Sequence, residues 1–188
     1  MIAAGCGGGS HVQRSSSAPA VSSSGAGALA ADARSAATGD IPDTQNFLTL
    51  RDQRLRVAML YPEGWTVKQT SNEVSISDKN NLVRIALSNG AEPTIASVST
   101  QLAALKQKTP TLTAGAPQAV SLKSGAAVKV TYQTKSTPNP VTGKQVTLTV
   151  DRYTLGHAGR TAIVDLGTPV GVDNVDAYKR MIESFKWL

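Results

Sequence analysis

The chain has 188 residues, with 19 Lys+Arg against 13 Asp+Glu and a formal net charge of +6, which fits one ordinary domain plus an extension. Its single cysteine excludes an internal disulfide and an all-cysteine zinc site, and two histidines leave little for any other metal centre. Aromatic residues at 4% supply no base-stacking platform, so nucleic acid is not an expected partner, and no apolar run reaches the roughly 18 residues of a membrane-spanning helix.

The chain begins with small residues around its only thiol, Ala3-Ala4-Gly5-Cys6-Gly7-Gly8-Gly9. A lone cysteine is most often a buried apolar side chain, but glycine and serine neighbours argue against burial here. A nucleophile needs a base beside it, and the sequence points to none. Ala-Gly before the cysteine and Gly/Ser after it resemble the lipobox of bacterial lipoproteins. That resemblance implies that Cys6 is the lipidation site, carrying acyl chains such as palmitate, and that residues 1–6 are the remnant of a signal peptide. A secretory leader needs a basic start and an apolar stretch of about 7–15 residues, so this reading places the leader upstream of Met1.

Residues 7–40 are Ser, Ala and Gly with scattered charges, Ser15-Ser16-Ser17 and Ser22-Ser23-Ser24-Gly25 among them. The alanine-rich part from Ala26 to Ala37 lacks a stripe of large apolar residues to bury. The segment therefore reads as a disordered tether with a root-mean-square reach of about 30–35 Å.

The domain is expected over 41–188. Asn46 to Arg51 reads as a lead-in strand, and Leu55, Val57, Met59 and Tyr61 alternate as a half-buried strand does. Pro62-Glu63-Gly64 is a turn. Trp65 and Val67, then Val74 and Ile76, continue the alternation, and Asp78 to Asn81 turns into a strand with Val83, Ile85 and Leu87 on one face. Ile95, Val98, Leu102 and Leu105 then recur at helical spacing, with Thr94 as N-cap and Pro110 as a stop. Strand periodicity returns at Val120 and Leu122, at Val128, Val130 and Tyr132, and at Val146, Leu148 and Val150. Tyr153 breaks the last parity, which predicts either a bulge near Asp151-Arg152 or a second buried face. Gly156 to Gly159 is a hairpin turn, and Arg160 to Leu166 is a strand in which adjacent Ile163 and Val164 suggest burial on both faces. Asp173 or Asn174 caps a last helix with Val175, Tyr178, Met181, Ile182 and Phe185 on its apolar stripe. The fold class is α+β: a mainly antiparallel twisted sheet flanked by two main helices at about 94–108 and 173–186.

A strand running into Tyr61-Pro62-Glu63-Gly64-Trp65, together with Asp173 to Tyr178 and Ile182-Glu183-Ser184-Phe185 near the end, resembles the photosystem II PsbP and Mog1-like fold. More closely, the whole resembles actinobacterial lipoproteins carrying that fold, over roughly Asp43 to Leu188. The resemblance implies non-enzymatic work: binding a partner protein or stabilising a membrane complex. In mycobacterial-type relatives it implies an association with lipid export. No catalytic residue carries over. Tyr61 and Trp65 are expected to pack in the core or on a sheet face.

His157, Asp165 and a serine could be assembled into a triad, but His157 sits in a turn and no Gly-x-Ser-x-Gly elbow is present. Asp151, Asp165 and Glu63 are only the acids at hand for a carboxylate pair. The positive charge is more informative. Lys68, Arg84, Lys123, Lys129, Lys135 and Lys144 fall on the domain, mostly at exposed strand or turn positions. They read either as a basic face toward anionic lipid or wall polymer, or as ordinary solubilising charge. The expected protein is a non-enzymatic lipoprotein with no cofactor and no metal. It lies lipid-anchored at the extracytoplasmic face of the cell membrane and acts as a binding or accessory module for an envelope partner. The alternative is a carrier holding an anionic lipid or glycolipid in a pocket between sheet and helix.

Overall fold

The computed structural model describes residues 38–139 and 141–188. Cys6 and nearly all of the predicted tether lie outside the described residues. Among the described residues two antiparallel sheets and two helices form the α+β fold.

The small sheet is the hairpin of β1 (Phe47–Asp52) and β2 (Val57–Pro62), with β11 (Lys186–Trp187) on the other edge of β2. The large sheet contains β3 (Thr66–Gln69), β4 (Glu73–Asp78), β5 (Asn81–Asn89), β6 (Thr113–Ala114), β7 (Gln118–Leu122), β8 (Gly125–Lys135), β9 (Thr147–His157) and β10 (Arg160–Pro169). Its order is β3-β4-β5-β10-β9-β8-β6, with β7 also paired to β8. Helix α1 (Ile95–Lys108) links β5 to β6, and α2 (Val175–Glu183) links β10 to β11.

The two helices lie on opposite faces of the large sheet. On one face Val74, Ile76, Val83, Ile85, Val164 and Leu166 pack against Val57 and Met59 of the small sheet and Met181, Ile182 and Phe185 of α2. On the other face Val128, Val130, Tyr132, Leu148 and Val150 lie beneath Val98, Leu102 and Leu105 of α1. A strand with apolar residues on both faces loses its alternation, which is why Tyr153 broke the parity. Pairing of β9 with β8 and β10 runs unbroken through Asp151, Arg152 and Tyr153. There is no bulge, and the second-face reading holds.

Local chemistry sets the boundaries. Thr94 caps α1 in a reciprocal box: its Oγ1 accepts from Ser97 N at 3.1 Å, and Ser97 Oγ accepts from Thr94 N at 2.9 Å. The predicted strand from Leu55 starts only at Val57, because Asp52 folds 52–56 into a turn. Its Oδ1 accepts from Arg54 N at 2.9 Å and Leu55 N at 3.0 Å, and Arg56 takes φ 50. The predicted helix to 186 ends at Glu183. Ser184 Oγ accepts from Leu60 N at 2.8 Å, and the chain then straightens to pair with β2. A Cβ at Gly156 would come within 2.7 Å of Pro93 Cδ, so the chain entering α1 crosses β9 where there is no side chain.

Asn174 is the N-cap of α2, yet its side chain makes no capping bond. Its Oδ1 accepts from Ile41 N at 2.8 Å, and its Nδ2 donates to Asn81 Oδ1 and Thr168 Oγ1, each at 3.0 Å, and to Gly39 O at 3.2 Å. Asn81 Nδ2 donates to the same Gly39 carbonyl at 2.6 Å. Two buried amides thus fasten the incoming chain to the large sheet.

Candidate functional site

On the α1 side of the large sheet one row of side chains crosses six strands. Val130 pairs with Arg152, Arg152 with Asp165, Asp165 with Arg84, Arg84 with Ser75 and Ser75 with Lys68. Directly opposed residues project from the same face, so register alone brings two arginines to either side of one carboxylate.

The contacts are close. Arg152 Nε donates to Asp165 Oδ1 at 2.6 Å and Arg152 Nη2 to Oδ2 at 2.9 Å, a bidentate pair. Arg84 Nη2 lies 3.0 Å from Oδ2, and Arg84 Nη1 is 2.8 Å from Glu73 Oε2. The Asp165 side chain is 4% exposed and that of Arg152 10%, against 31% for Arg84. Charges this deep are tolerable only when paired and hydrogen-bonded. Burial alone would lower both guanidinium pKa values, but Asp165, joined at Arg84 by Glu73, raises them above the ordinary range. Arg152 Nη2 also donates to Tyr132 OH at 3.2 Å, with the guanidinium 5.2 Å from the ring centroid. Burial first, then the Asp165 carboxylate, pushes the Tyr132 phenol up to about 12.

Helix α1 covers Val128, Val130 and Val150 but stops short of the charged row. What stays open is a cleft of about 560 Å³. Arg84, Arg152 and Asp165 are in its floor, and Lys68 and Lys79 are at its edges. Ser75, Ser77 and Thr134 supply hydroxyls, that of Ser136 being bonded to Thr137 O and Val146 N, and Leu82, Leu105 and Leu148 supply apolar wall. Its lining carries those four cationic side chains against the single carboxylate of Asp165, which is already paired twice, and Lys79 lies 3.9 Å from Asp78.

Of the predicted basic residues, the fold brings Lys68 and Arg84 into this cleft, while Lys135 shares the opposite face of β8 with Gln133 and its Nζ donates there to Thr147 Oγ1 at 2.9 Å. Lys129 points to the opposite face, where Asp151 holds its ammonium at 2.8 Å. Lys123 and Lys144 are exposed elsewhere. His157 and Asp165 are not brought together. His157 pairs with Arg160, five residues from Asp165 along β10, a separation of about 17 Å. The His157 ring stacks on Trp187 at 5.4 Å. Asp151 faces away from Asp165, and Glu63 is exposed in the turn after β2. Tyr61 and Trp65 pack against the core, as expected. Among the described residues no three His, Cys, Asp or Glu cluster to hold a metal, and no helix is long and apolar enough to cross a membrane. Sequence reasoning missed Arg152 and Tyr132. The available signal was phase, since Arg152 continues the inward series Val146, Leu148, Val150 as a charge.

No family model matches the chain, and no curated protein matches it. Solved structures do. The cyanobacterial PsbP (CyanoP) of Synechocystis sp. PCC 6803 aligns at a TM-score of 0.57 and 12% identity, over 80% of this chain and 98% of that one. The Saccharomyces cerevisiae Ran-binding protein Mog1p aligns at 0.51 and 9%, over 76% and 95%. This is the PsbP/Mog1-like fold. At such identities the architecture is what is shared. The two stretches that carried the resemblance meet in space: Tyr61-Pro62 ends β2, the second stretch forms α2, and the Leu60 N–H to Ser184 Oγ bond joins them.

Proposed function

We propose that the chain is a non-catalytic, membrane-tethered binding or accessory module of the cell envelope, and that the basic cleft is the surface with which it engages an anionic partner. The cleft carries this reading: fixed positive charge, hydroxyls and an apolar wall converge in one concavity on a fold that Mog1p, a Ran-binding protein, also uses. The distance between His157 and Asp165, and the engagement of Asp165 by two arginines, favour binding over hydrolysis. The tether and Cys6 favour placement at the extracytoplasmic membrane face, with acyl chains as the anchor. The test expresses the protein from its native gene with Cys6→Ala. Loss from the membrane fraction, with loss of the acyl mass on the intact protein, is the expected result. A variant that stays in the membrane fraction refutes the anchor.

A second reading, a lipid or glycolipid carrier, is favoured by a groove of about 300 Å³ between α1 and β7–β8, lined in part by Ile95, Val120, Ala127 and Val128. Native mass spectrometry of the purified protein checks it, and a bare protein mass counts against it.

A further inference from the structure

We infer that the end of the domain formed by the β1–β2, β3–β4 and β9–β10 turns is a second recognition surface, separate from the cleft. It takes an acidic segment of a partner polypeptide.

Register and local bonds build this surface. His157, Arg160 and Asn89 stand in one row across β9, β10 and β5, so their side chains project from the same face. Arg160 reaches from there to the small sheet. Its Nη2 donates to Leu55 O, and its guanidinium lies 5.2 Å from the Trp187 ring centroid. Arg54, the neighbour of Leu55, reaches the other way, its Nη1 donating to Thr70 O after β3. Two guanidinium groups are thus tied to backbone carbonyls around one groove of about 380 Å³, which shares no lining residue with the cleft.

The charge here is one-sided. Arg54, Arg56 and Arg160 line the groove, and no carboxylate does. Asp52 neutralises Arg54 from behind, at 2.6 Å. Arg160 has no such partner: Leu55 O and the Trp187 ring are both neutral, and no carboxylate among the described residues pairs with it. Arg56 is exposed in the same turn, also without an acidic partner among the described residues. Two unneutralised guanidinium groups beside a neutralised third leave the potential at this end positive.

The lining selects the class of partner. None of the large exposed apolar side chains of the described residues lies in it, so it lacks what a surface buries when it docks on a bilayer. The cations come singly from positions 54, 56 and 160, and charge spread in this way matches a run of carboxylates better than one phosphate. An arginine fork takes a carboxylate through two parallel hydrogen bonds. Asn72 and Asn89, both exposed, add amides able to pair with the N–H and C=O groups of a peptide backbone. The carbonyl ties of Arg54 and Arg160 hold their forks before any partner arrives, which lowers the ordering cost of binding.

The experiment titrates a labelled hexaglutamate peptide into the full chain, following anisotropy and the shifts of backbone and indole N–H groups. Hexaglutamine, inorganic phosphate and phosphatidylglycerol vesicles are the other arms. The expected result is saturable binding of hexaglutamate, tighter than any other arm and weakened by salt, with shifts at Asn89, Arg160 and the Trp187 indole. Arg56→Gln with Arg160→Gln should weaken it roughly tenfold. Lys123→Gln with Lys144→Gln removes the same charge elsewhere and should leave it unchanged. Arg56→Gln alone, at an exposed position, should weaken it about threefold with the melting temperature unchanged, and it decides the matter if the Arg160 change unfolds the domain. No saturable binding, equal weakening in the two double variants, or tighter binding of phosphate or vesicles overturns the inference. Shifts confined to Ser75, Arg84 and Thr134 also overturn it, by placing the peptide in the cleft, and they leave the reading of the cleft intact.

Discussion

Arg152 and Asp165 stand opposite each other on β9 and β10, joined by two hydrogen bonds of 2.6 and 2.9 Å inside the sheet face that α1 leaves open. The pair makes the cleft floor a fixed object. It also ties stability to the candidate site, because each partner is buried and costly to leave alone.

Asp165→Asn therefore leaves two guanidinium groups without their shared anion. It should cost about 3–5 kcal/mol in urea unfolding, the scale of breaking a buried pair. Arg152→Met should cost less, since Asp165 keeps Arg84 at 3.0 Å. The reverse order of the two variants would show that the pair does not organise the floor as described.

Asp52 makes an acid-side prediction. Burial by itself would raise its carboxyl, but bonds from Leu55 N–H and from Arg54 hold it below the ordinary 3.8. A depressed carboxyl gives stability that is present above the unfolded value and is lost as pH falls through the folded one. Stability should therefore drop below about pH 3.8, and Asp52→Asn should flatten that part of the curve. An unchanged slope between pH 4 and 2, titration points chosen on the usual carboxylate range, would remove Asp52 from the account.

How much of this was readable beforehand differs between fold and site. Alternation at Val128, Val130 and Tyr132 and helical spacing from Val98 to Leu105 set the elements, because burial on one face leaves its period in the chain. The two turn-and-helix stretches around Trp65 and Tyr178 pointed to the right fold. The existence of two sheets was not legible, because β11 is only two residues long and its pairing with β2 is long-range. The site was half legible. Lys68 and Arg84 stood out as charges, but which of six basic residues share one concavity depends on the register of strands far apart in sequence. Arg152 was read past because a charge at an inward position looks like the start of a bend until its partner across the sheet is known.

Tyrosine titration probes the same floor from the alkaline side. Burial raises Tyr132, Tyr153 and Tyr178 above the ordinary 10.0, with Tyr132 at about 12. The unfolded chain loses these protons first, so stability should decline as pH rises above about 10. Phenolate absorbance should show a late group of tyrosines, and Tyr132→Phe should remove one member of it. Full ionisation near 10 in the folded protein would mean that Tyr132 is solvated.

Asn174→Ala removes one amide that ties Gly39 and Ile41 to Asn81 and Thr168. With Asn174 2% exposed, the orphaned partners should cost about 2–3 kcal/mol. Hydrogen exchange at the Ile41 amide should accelerate ahead of exchange in β9. Equal protection in variant and wild type would show that the N-terminal lead-in is held by other contacts.

The central claim is that the cleft, and not the opposite side of the sheet, meets the partner. The most direct measurement places a photo-crosslinking side chain either at Ser75, in the cleft, or at Gln133, on the other face of β8, and irradiates the full-length protein in its native envelope. Discrete adducts from Ser75 and none from Gln133 are expected. Adducts from Gln133 alone, or the same adducts from both positions, would contradict the account.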